Sequence, residues 1–340
     1  MIGVTVRVPA KLNLQLAVGP RRADGYHDLV TVFHAVSLFD EVTVVPAGRD
    51  GVEVSGEGAD RVPAGRDNLA LRAVAALRSA MPGPAGRARV HVTILKRIPV
   101  AAGLAGGSAD AAAALVACNE LWGAGLSQAQ LVEVAAKVGS DVAFALLGGT
   151  AVGRGRGERL TPALAPATPY YWVLAFADGH LSTPEVYAAL DRLRAATAGS
   201  PAGPSGPKGA TGPKGATGAK GAARPKGAVR SGAAEPDLDA ALMSALRSGE
   251  ARRVGRALSN DLQQAALSLF PPLRKTLAAG LELGALGALV SGSGPTCVFL
   301  AASAERALDL AVSLSGAGVC RSVARVTGPV PGAAVLPAAK

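Results

Sequence analysis

A two-domain α+β fold is predicted by three features of the chain. Segments with the two-residue period of strands and segments with the helical period are interspersed from one end to the other. At 340 residues and 49% hydrophobic content, the chain can bury a core in each of two domains. A glycine-rich loop runs straight into an alanine-rich helix at residues 99–114, an arrangement suited to holding phosphate. The expected domains are 1–165, which contains that loop, and 166–330, interrupted by an unusual insertion at 199–232.

Val4, Val6 and Val8, then Leu12, Leu14, Leu16 and Val18, alternate with polar residues, so strands are expected there, with Lys11 and Asn13 on one face. Further strands are expected at 41–45, 52–55 and 90–95, and a helix at 69–79. A helix at 109–122 follows the glycine loop. Ser127 caps a third helix through Val138, which Gly139 can end in a left-handed conformation. Ser140 then opens a short helix with Asp141 in its first turn, where the helix dipole favours an ionised carboxylate.

The second domain reads as a strand at 172–175, a helix at 184–195, helices after Asp237 and Glu250, and another at 271–283. A strand at 288–290 meets Ser291-Gly292-Ser293-Gly294, whose small residues suit a hairpin. A strand at 296–300, a helix at 304–314 and a strand at 322–326 complete the pattern.

Within Pro99-Val100-Ala101-Ala102-Gly103-Leu104-Ala105-Gly106-Gly107-Ser108, glycines let the backbone approach an anion closely. The helix start adds free N–H groups and the positive end of a dipole. Ser108, at the junction, can cap the helix or offer its hydroxyl to magnesium. The Lys-Ser/Thr ending of a Walker A loop and the spacing of a Rossmann fingerprint are both missing. A plain structural turn is the alternative use of such a loop.

Met1 is followed by alternating residues rather than a basic start and an apolar block, and no stretch of about 18 uncharged apolar residues occurs. Neither secretion nor a membrane span is therefore expected. Cys118, Cys297 and Cys320 are far apart, which argues against a disulfide framework or zinc site and suits reduced thiols in a cytoplasm. The formal charge is +10, but Lys208, Lys214, Lys220, Arg224, Lys226 and Arg230 crowd into 199–232, where no acidic residue occurs; the rest carries +4. That remainder suits an enzyme handling anionic small molecules and requires no nucleic acid.

From Gly203 to Gly221 glycine recurs every third residue, the collagen period, but the register fails at Arg224 and Arg230. A triple helix needs three chains, and the segment has no large apolar side chains to offset its ordering entropy. A flexible, solvated surface insertion is expected; a basic tether to an anionic partner is the other reading.

Three segments in order, Pro9-Ala10-Lys11-Leu12-Asn13-Leu14, residues 99–112, and Ser291-Gly292-Ser293-Gly294, resemble the three motifs of the GHMP kinases, which include galactokinase, homoserine kinase and mevalonate kinase. Arg22-Ala23-Asp24-Gly25-Tyr26-His27-Asp28-Leu29, with Thr31-Val32-Phe33 after it, is similar to the substrate-side signature of the branch acting on a cytidylated methylerythritol. Gly139-Ser140-Asp141-Val142 resembles that branch's catalytic segment, and Asp67-Asn68-Leu69, Lys96-Arg97-Ile98-Pro99 and Asn260-Asp261-Leu262 add to the match. Only 199–232 departs from the pattern.

The resemblance implies a ribosomal protein S5 domain 2-like N-terminal domain and a ferredoxin-like C-terminal domain. It further implies transfer of the γ-phosphoryl of ATP, with Mg2+, to the 2-hydroxyl of the cytidine-diphosphate-linked methylerythritol of the non-mevalonate isoprenoid pathway. Lys11 and Asp141 would be the catalytic pair, Asp141 accepting the hydroxyl proton while Lys11 keeps it ionised. Pro99, Gly103, Leu104, Ala105, Gly106, Gly107 and Ser108 would hold ATP, with Ser108 as the candidate magnesium ligand and adenine near Asn68, Lys96 and Asp110. Asp110 is an acid where a neutral amide is expected.

Asn13, Tyr26, His27, Phe33, Thr183 and Tyr187 would bind the acceptor, with cytosine among Tyr26, His27 and Tyr187; Gly292, Ser293 and Gly294 form the third motif. In a chain with 4% aromatic residues, stacking on a pyrimidine is a sensible use for these rings. The corresponding expectations are a small-molecule substrate, no nucleic-acid or membrane partner, a cytoplasmic location, and a monomer or homodimer. The rivals are a homoserine- or mevalonate-type kinase, against which the Gly-Tyr-His-Asp-Leu stretch argues, and a non-catalytic protein binding polyanions through its insertion.

Excision of residues 199–232 is expected to leave phosphoryl-transfer turnover almost unchanged in a steady-state assay. A large loss of turnover would refute the solvated-insertion reading.

Overall fold

The computed structural model describes residues 3–81, 88–163, 169–198 and 235–337. The insertion at 199–232, and the expectation that it is a solvated surface segment, lie outside the described residues.

The first half is built on a long antiparallel hairpin of β1 (Val4–Arg21) and β2 (His27–Ala47). It continues through β3 (Gly51–Gly56), α1 (Leu69–Ala80), β4 (Arg89–Lys96), α2 (Gly106–Leu121), α3 (Gln128–Val138), α4 (Ser140–Leu147), β5 (Thr150–Gly155) and β6 (Arg159–Pro162). β2 changes partner along its length: residues 41–47 pair with β4, and residues 29–34 pair with β5. β1 is one continuous strand where two shorter ones were expected. β2 is far longer than the expected 41–45, and β5 and β6 were not expected. Residues 30–36 are buried on both faces, so they lack the alternation by which a half-buried strand is recognised.

Register shifts at Pro9/Ala10 and between Asn13 and Gln15 explain how β1 works. Pro9 has no N–H to give the ladder, and an irregularity there lets the strand continue. The second shift flips the faces: Leu12, Leu14 and Ala17 pack in the first core, whereas Leu16 and Val18 pack in the second. The single-face alternation expected for Leu12 to Val18 is thereby corrected, while Lys11 and Asn13 do share a face.

The second half comprises β7 (Tyr170–Phe176), α5 (Thr183–Ala198), α6 (Ala240–Ser248), α7 (Ala251–Ala257), β8 (Ser259–Asn260), α8 (Gln263–Leu269), α9 (Pro272–Glu282), β9 (Gly287–Val290), β10 (Cys297–Ala301), α10 (Ala304–Gly316), β11 (Ser322–Gly328) and β12 (Ala334–Val335). Its antiparallel sheet has the order β11-β7-β10-β9, the ferredoxin-like arrangement, and β9–β10 is the expected hairpin across Ser291 to Gly294. The halves interlock rather than abut. β8 and β12 both pair with β1, and Leu242, Leu246 and Val254 of α6 and α7 lie in the first core.

α2 is the central helix. Ala111 to Leu115, Ala117 and Cys118 are fully buried, as expected of a helix that is apolar all round, and its small side chains admit close neighbours. It starts at Gly106, three residues before the expected 109, with Ala105 at its N-cap and no side-chain cap. Ser108 therefore lies inside the first turn and does not cap. Gly139 is also corrected: its φ of −180° is extended backbone, and it serves as the last cap of α3 and the first of α4.

Candidate active site

The sharp requirement on the glycine loop is at Gly103, whose φ of +76° is the left-handed region and whose missing Cβ would lie 2.1 Å from the Ser291 carbonyl oxygen. The loop of the first half is thus seated directly on the β9–β10 turn of the second. Ser291 Oγ donates to the Gly103 carbonyl at 3.2 Å, and Asn260 Nδ2 donates to the carbonyls of Val290 and Gly292 at 2.7 Å each, pinning the turn. Ala101 and Ala105 also adopt positive φ, 54° and 59°. For an alanine this costs roughly 1–2 kcal/mol, so the loop holds backbone strain where it passes into α2.

Beneath this junction, Lys11 donates its backbone N–H to the Leu104 carbonyl at 3.2 Å. Its Nζ donates to Asn13 Oδ1 at 2.6 Å and to the Gly103 carbonyl at 3.1 Å, and lies 3.8 Å from Asp141 Oδ2. Asn13 is oriented in turn: its Nδ2 donates to Thr31 Oγ1 at 2.8 Å, and that hydroxyl donates to the Gln15 carbonyl at 2.7 Å. Burial lowers the pKa of Lys11, and the charge and hydrogen bonding of Asp141 oppose that shift. Asp141 sits in the first turn of α4 with its side chain 30% exposed, more open than the Lys11 side chain at 9%.

A cavity of about 460 Å³ lies where these segments converge. Lys11, Asn13, Phe33, Gly103, Ala105, Gly106, Gly107, Ser108, Asp141, Thr183, Tyr187, Gly292 and Ser293 all line it, so most of the expected site residues are brought together. Within the second half, Thr183 Oγ1 of α5 and Ser293 Oγ of the β9–β10 turn are 2.9 Å apart. The first-turn amides of α2 have no carbonyl one turn back, which suits that end of the cavity to an anion.

Other expected residues sit elsewhere. Leu104 is buried in the first core, Pro99 lines a separate cavity behind the loop, and Gly294 lies just outside the lining. His27 is held at the edge, with Nε2 2.9 Å from Asp191 Oδ1 and its ring centroid 5.2 Å from that of Tyr187. Tyr26 is exposed under the guanidinium of Arg156, 5.5 Å from the ring centroid. Burial, with the Asp141 charge adding to it, pushes the Tyr187 phenol well above its ordinary pKa and keeps it neutral.

Asn68, Lys96 and Asp110, expected near adenine, are buried. None of the three lines the cavity. Asn68 caps α1 by accepting from the Ala70 N–H at 2.9 Å and donates to the Pro63 carbonyl at 2.9 Å. Lys96 Nζ pairs with Asp110 at 2.8 Å and with Asp40, and a Cβ on Gly106 would stand 3.0 Å from that nitrogen. Asp40 Oδ1 also accepts from the backbone N–H groups of Arg97 at 2.5 Å and Ile98 at 2.8 Å. This cluster braces the segment leading into the glycine loop. Burial works against the Lys96 charge, yet Asp110 and Asp40 outweigh it and hold its pKa above 10.5.

Sequence reasoning missed Asp40, Asp191 and Arg156, and took Thr31 only as part of a signature, without its role in orienting Asn13. Their roles depend on contacts across 57, 164, 16 and more residues, and the only local signal was Arg156 standing between glycines.

Fold and cavity together define a small-molecule kinase: a helix-mouth anion seat facing a Lys–Asp pair. Family models for the GHMP kinases N terminal domain and the GHMP kinases C terminal match residues 68–149 and 242–320. A 4-diphosphocytidyl-2-C-methyl-D-erythritol kinase of Thermobifida fusca (strain YX) is 52% identical over 341 residues, covering 98% of each chain. One of Mycolicibacterium smegmatis is also 52% identical, covering 98% of this chain and 93% of the relative. A crystal structure of 4-(cytidine 5'-diphospho)-2C-methyl-D-erythritol kinase superposes with a TM-score of 0.68 at 33% identity, over 95% of this chain and 98% of that one. A homoserine kinase from Cytophaga hutchinsonii, with a TM-score of 0.68 at 18% identity over 98% of this chain and 97% of the other, shares the fold. The chain belongs to the 4-diphosphocytidyl-2-C-methyl-D-erythritol kinase family of the GHMP kinases.

Asp110 is pushed from 3.8 up to about 8, by burial first and by Asp40 as well, with Lys96 opposing. A carboxyl whose folded pKa is raised contributes stability that is complete below its unfolded pKa and is lost as pH rises through the folded one. Stability from this group should therefore decline between about pH 4 and pH 8. Asp110→Asn is expected to flatten that slope in urea unfolding series; an unaltered slope would contradict the assignment.

Proposed function

We propose that this chain transfers the γ-phosphoryl of ATP to the 2-hydroxyl of 4-diphosphocytidyl-2-C-methyl-D-erythritol, a step of non-mevalonate isoprenoid precursor synthesis. The observation that carries the reading is the approach of Lys11 Nζ to within 3.8 Å of Asp141, in the same cavity as the N-terminus of α2. One wall suits a triphosphate and the other suits an alcohol about to lose its proton.

Gly106, Gly107 and Ser108 offer first-turn amides to the phosphate oxygens, with the helix dipole behind them. Asp141 accepts the proton of the attacking hydroxyl as the O–P bond forms. Lys11, held by Asn13 Oδ1 and the Gly103 carbonyl, sets its ammonium beside Asp141 and brings positive charge close to the reacting oxygens. An alcohol is a weak acid and the transition state of phosphoryl transfer is loose, so alignment and electrostatic stabilisation supply most of the acceleration. Arg156 lines the same cavity and suits the diphosphate of the acceptor.

Mg2+ fits this site as a companion of the nucleotide. Among the described residues no group of three or more His, Cys, Asp or Glu side chains could cage it. Ser108 offers an oxygen ligand in the cavity, and magnesium usually takes one or two protein groups together with phosphates and water. When bound, the ion neutralises charge on the β and γ phosphates.

The same reading makes the enzyme a monomer or homodimer that acts on a small molecule without nucleic acid, in the cytoplasm where such a metabolite would be made. No helix among the described residues is long and apolar enough to cross a membrane.

An assay offering the cytidylated methylerythritol beside homoserine and mevalonate should show turnover with the first, and preference for either of the others would contradict the proposal. In that assay Asp141→Asn should lower kcat by about 10²–10⁴-fold with little change in ATP affinity. A near-normal kcat would remove Asp141 as the base.

A further inference from the structure

The rim of the cavity contains a three-residue arrangement that the phosphoryl-transfer chemistry does not use. Leu29, Thr31 and Phe33 line the cavity, and alternate residues of a strand share a face, so His27 extends the same row of β2 towards the rim. Opposite stands α5, which presents Tyr187 to the cavity and, one turn later, Asp191. The Asp191 carboxylate meets His27 Nε2 at 2.9 Å, while the ring of the same histidine lies 5.2 Å from that of Tyr187, tilted by 36°. The His27 side chain is only 5% exposed, and Asp191 is 31% exposed. The hydrogen bond is therefore sheltered on its histidine side.

An ionised carboxylate can only accept, so Nε2 must carry the proton that joins the pair. In the neutral imidazole the other nitrogen, Nδ1, is then a lone-pair acceptor, and among the described residues no hydrogen bond to it is formed. We propose that Asp191 is a positioning residue for base selection: it fixes the His27 proton on Nε2, so that Nδ1 accepts from the exocyclic amine of cytosine. Uracil carries a carbonyl oxygen at that position. Two acceptors would then face one another, and the uridine-linked compound is rejected by an unmade hydrogen bond rather than by shape. The inference rests on the cytidine-linked substrate proposed above and adds what discriminates it.

Calorimetric titration with cytidine 5'-diphosphate and uridine 5'-diphosphate as probes tests it. The unmodified chain should bind the cytidine probe more tightly, and Asp191→Ala should lower the ratio of the two affinities roughly tenfold, chiefly by weakening the cytidine probe. Nitrogen-15 NMR of the imidazoles in the unmodified protein should find the His27 proton on Nε2, a reading that needs no variant to fold. No preference for the cytidine probe in the unmodified chain would overturn the substrate proposal itself. A preference that survives intact in folded Asp191→Ala, or a His27 proton found on Nδ1, would overturn the role of Asp191 alone.

Discussion

The site depends on a contact between two stretches of main chain. Gly103 presses its Cα against the carbonyl of Ser291 so closely that no side chain fits between them. That contact places the amides of α2, from the first half, at a fixed height above the β9–β10 turn of the second. Lys11 shares in it, because Nζ donates to the carbonyl of Gly103, and a Cβ on Gly292 would stand 3.3 Å from that same Nζ. The three motifs are separated by nearly the whole chain, yet they form one packed knot. Catalysis by alignment requires such rigidity, since small misplacements of the reacting groups are costly.

Two sources of unfavourable energy accompany this arrangement. Two alanines in left-handed conformations strain the loop, and a buried ammonium with two carboxylates lies beneath it. Buried ion clusters seldom add net stability, and here the cluster's use is geometric: Asp40 fixes the backbone of Arg97 and Ile98 just before the loop turns. Asp110 and Lys96, with Asp40, thus brace the backbone that leads into the glycine loop, whereas Asn68 caps α1. Tyr187, near enough to Asp141 to feel its charge, ties the acceptor end to the same centre.

Much of this was legible in the sequence because it is local. The glycine loop, Asp141 in a first helical turn, and the small-residue hairpin are each encoded within a few residues, and the order of the motifs carried the family and the ferredoxin-like sheet. What could not be read depends on distant contacts or on burial. Residues 30–36 are covered on both faces and lose the alternation that marks a strand, and the slip between Asn13 and Gln15 sends Leu14 and Leu16 to different cores without any signal in their identities. Asp40 and Asp191 look like ordinary surface acids until the fold brings their partners to them. Ser108 looked like a helix cap because capping is a local habit; Ala105 held that place because the loop, not the helix, sets its backbone.

The most direct measurement is ATP affinity, by calorimetry, in Gly103→Ala compared with Gly123→Ala. Both glycines have positive φ, but a Cβ at residue 123 meets nothing within 4 Å, so it carries the conformational cost without the collision. With both variants folded by circular dichroism, ATP binding should fall by at least about tenfold in Gly103→Ala and stay near normal in Gly123→Ala. Equal affinities in the two would show that the cradle does not depend on the seating of the loop against Ser291.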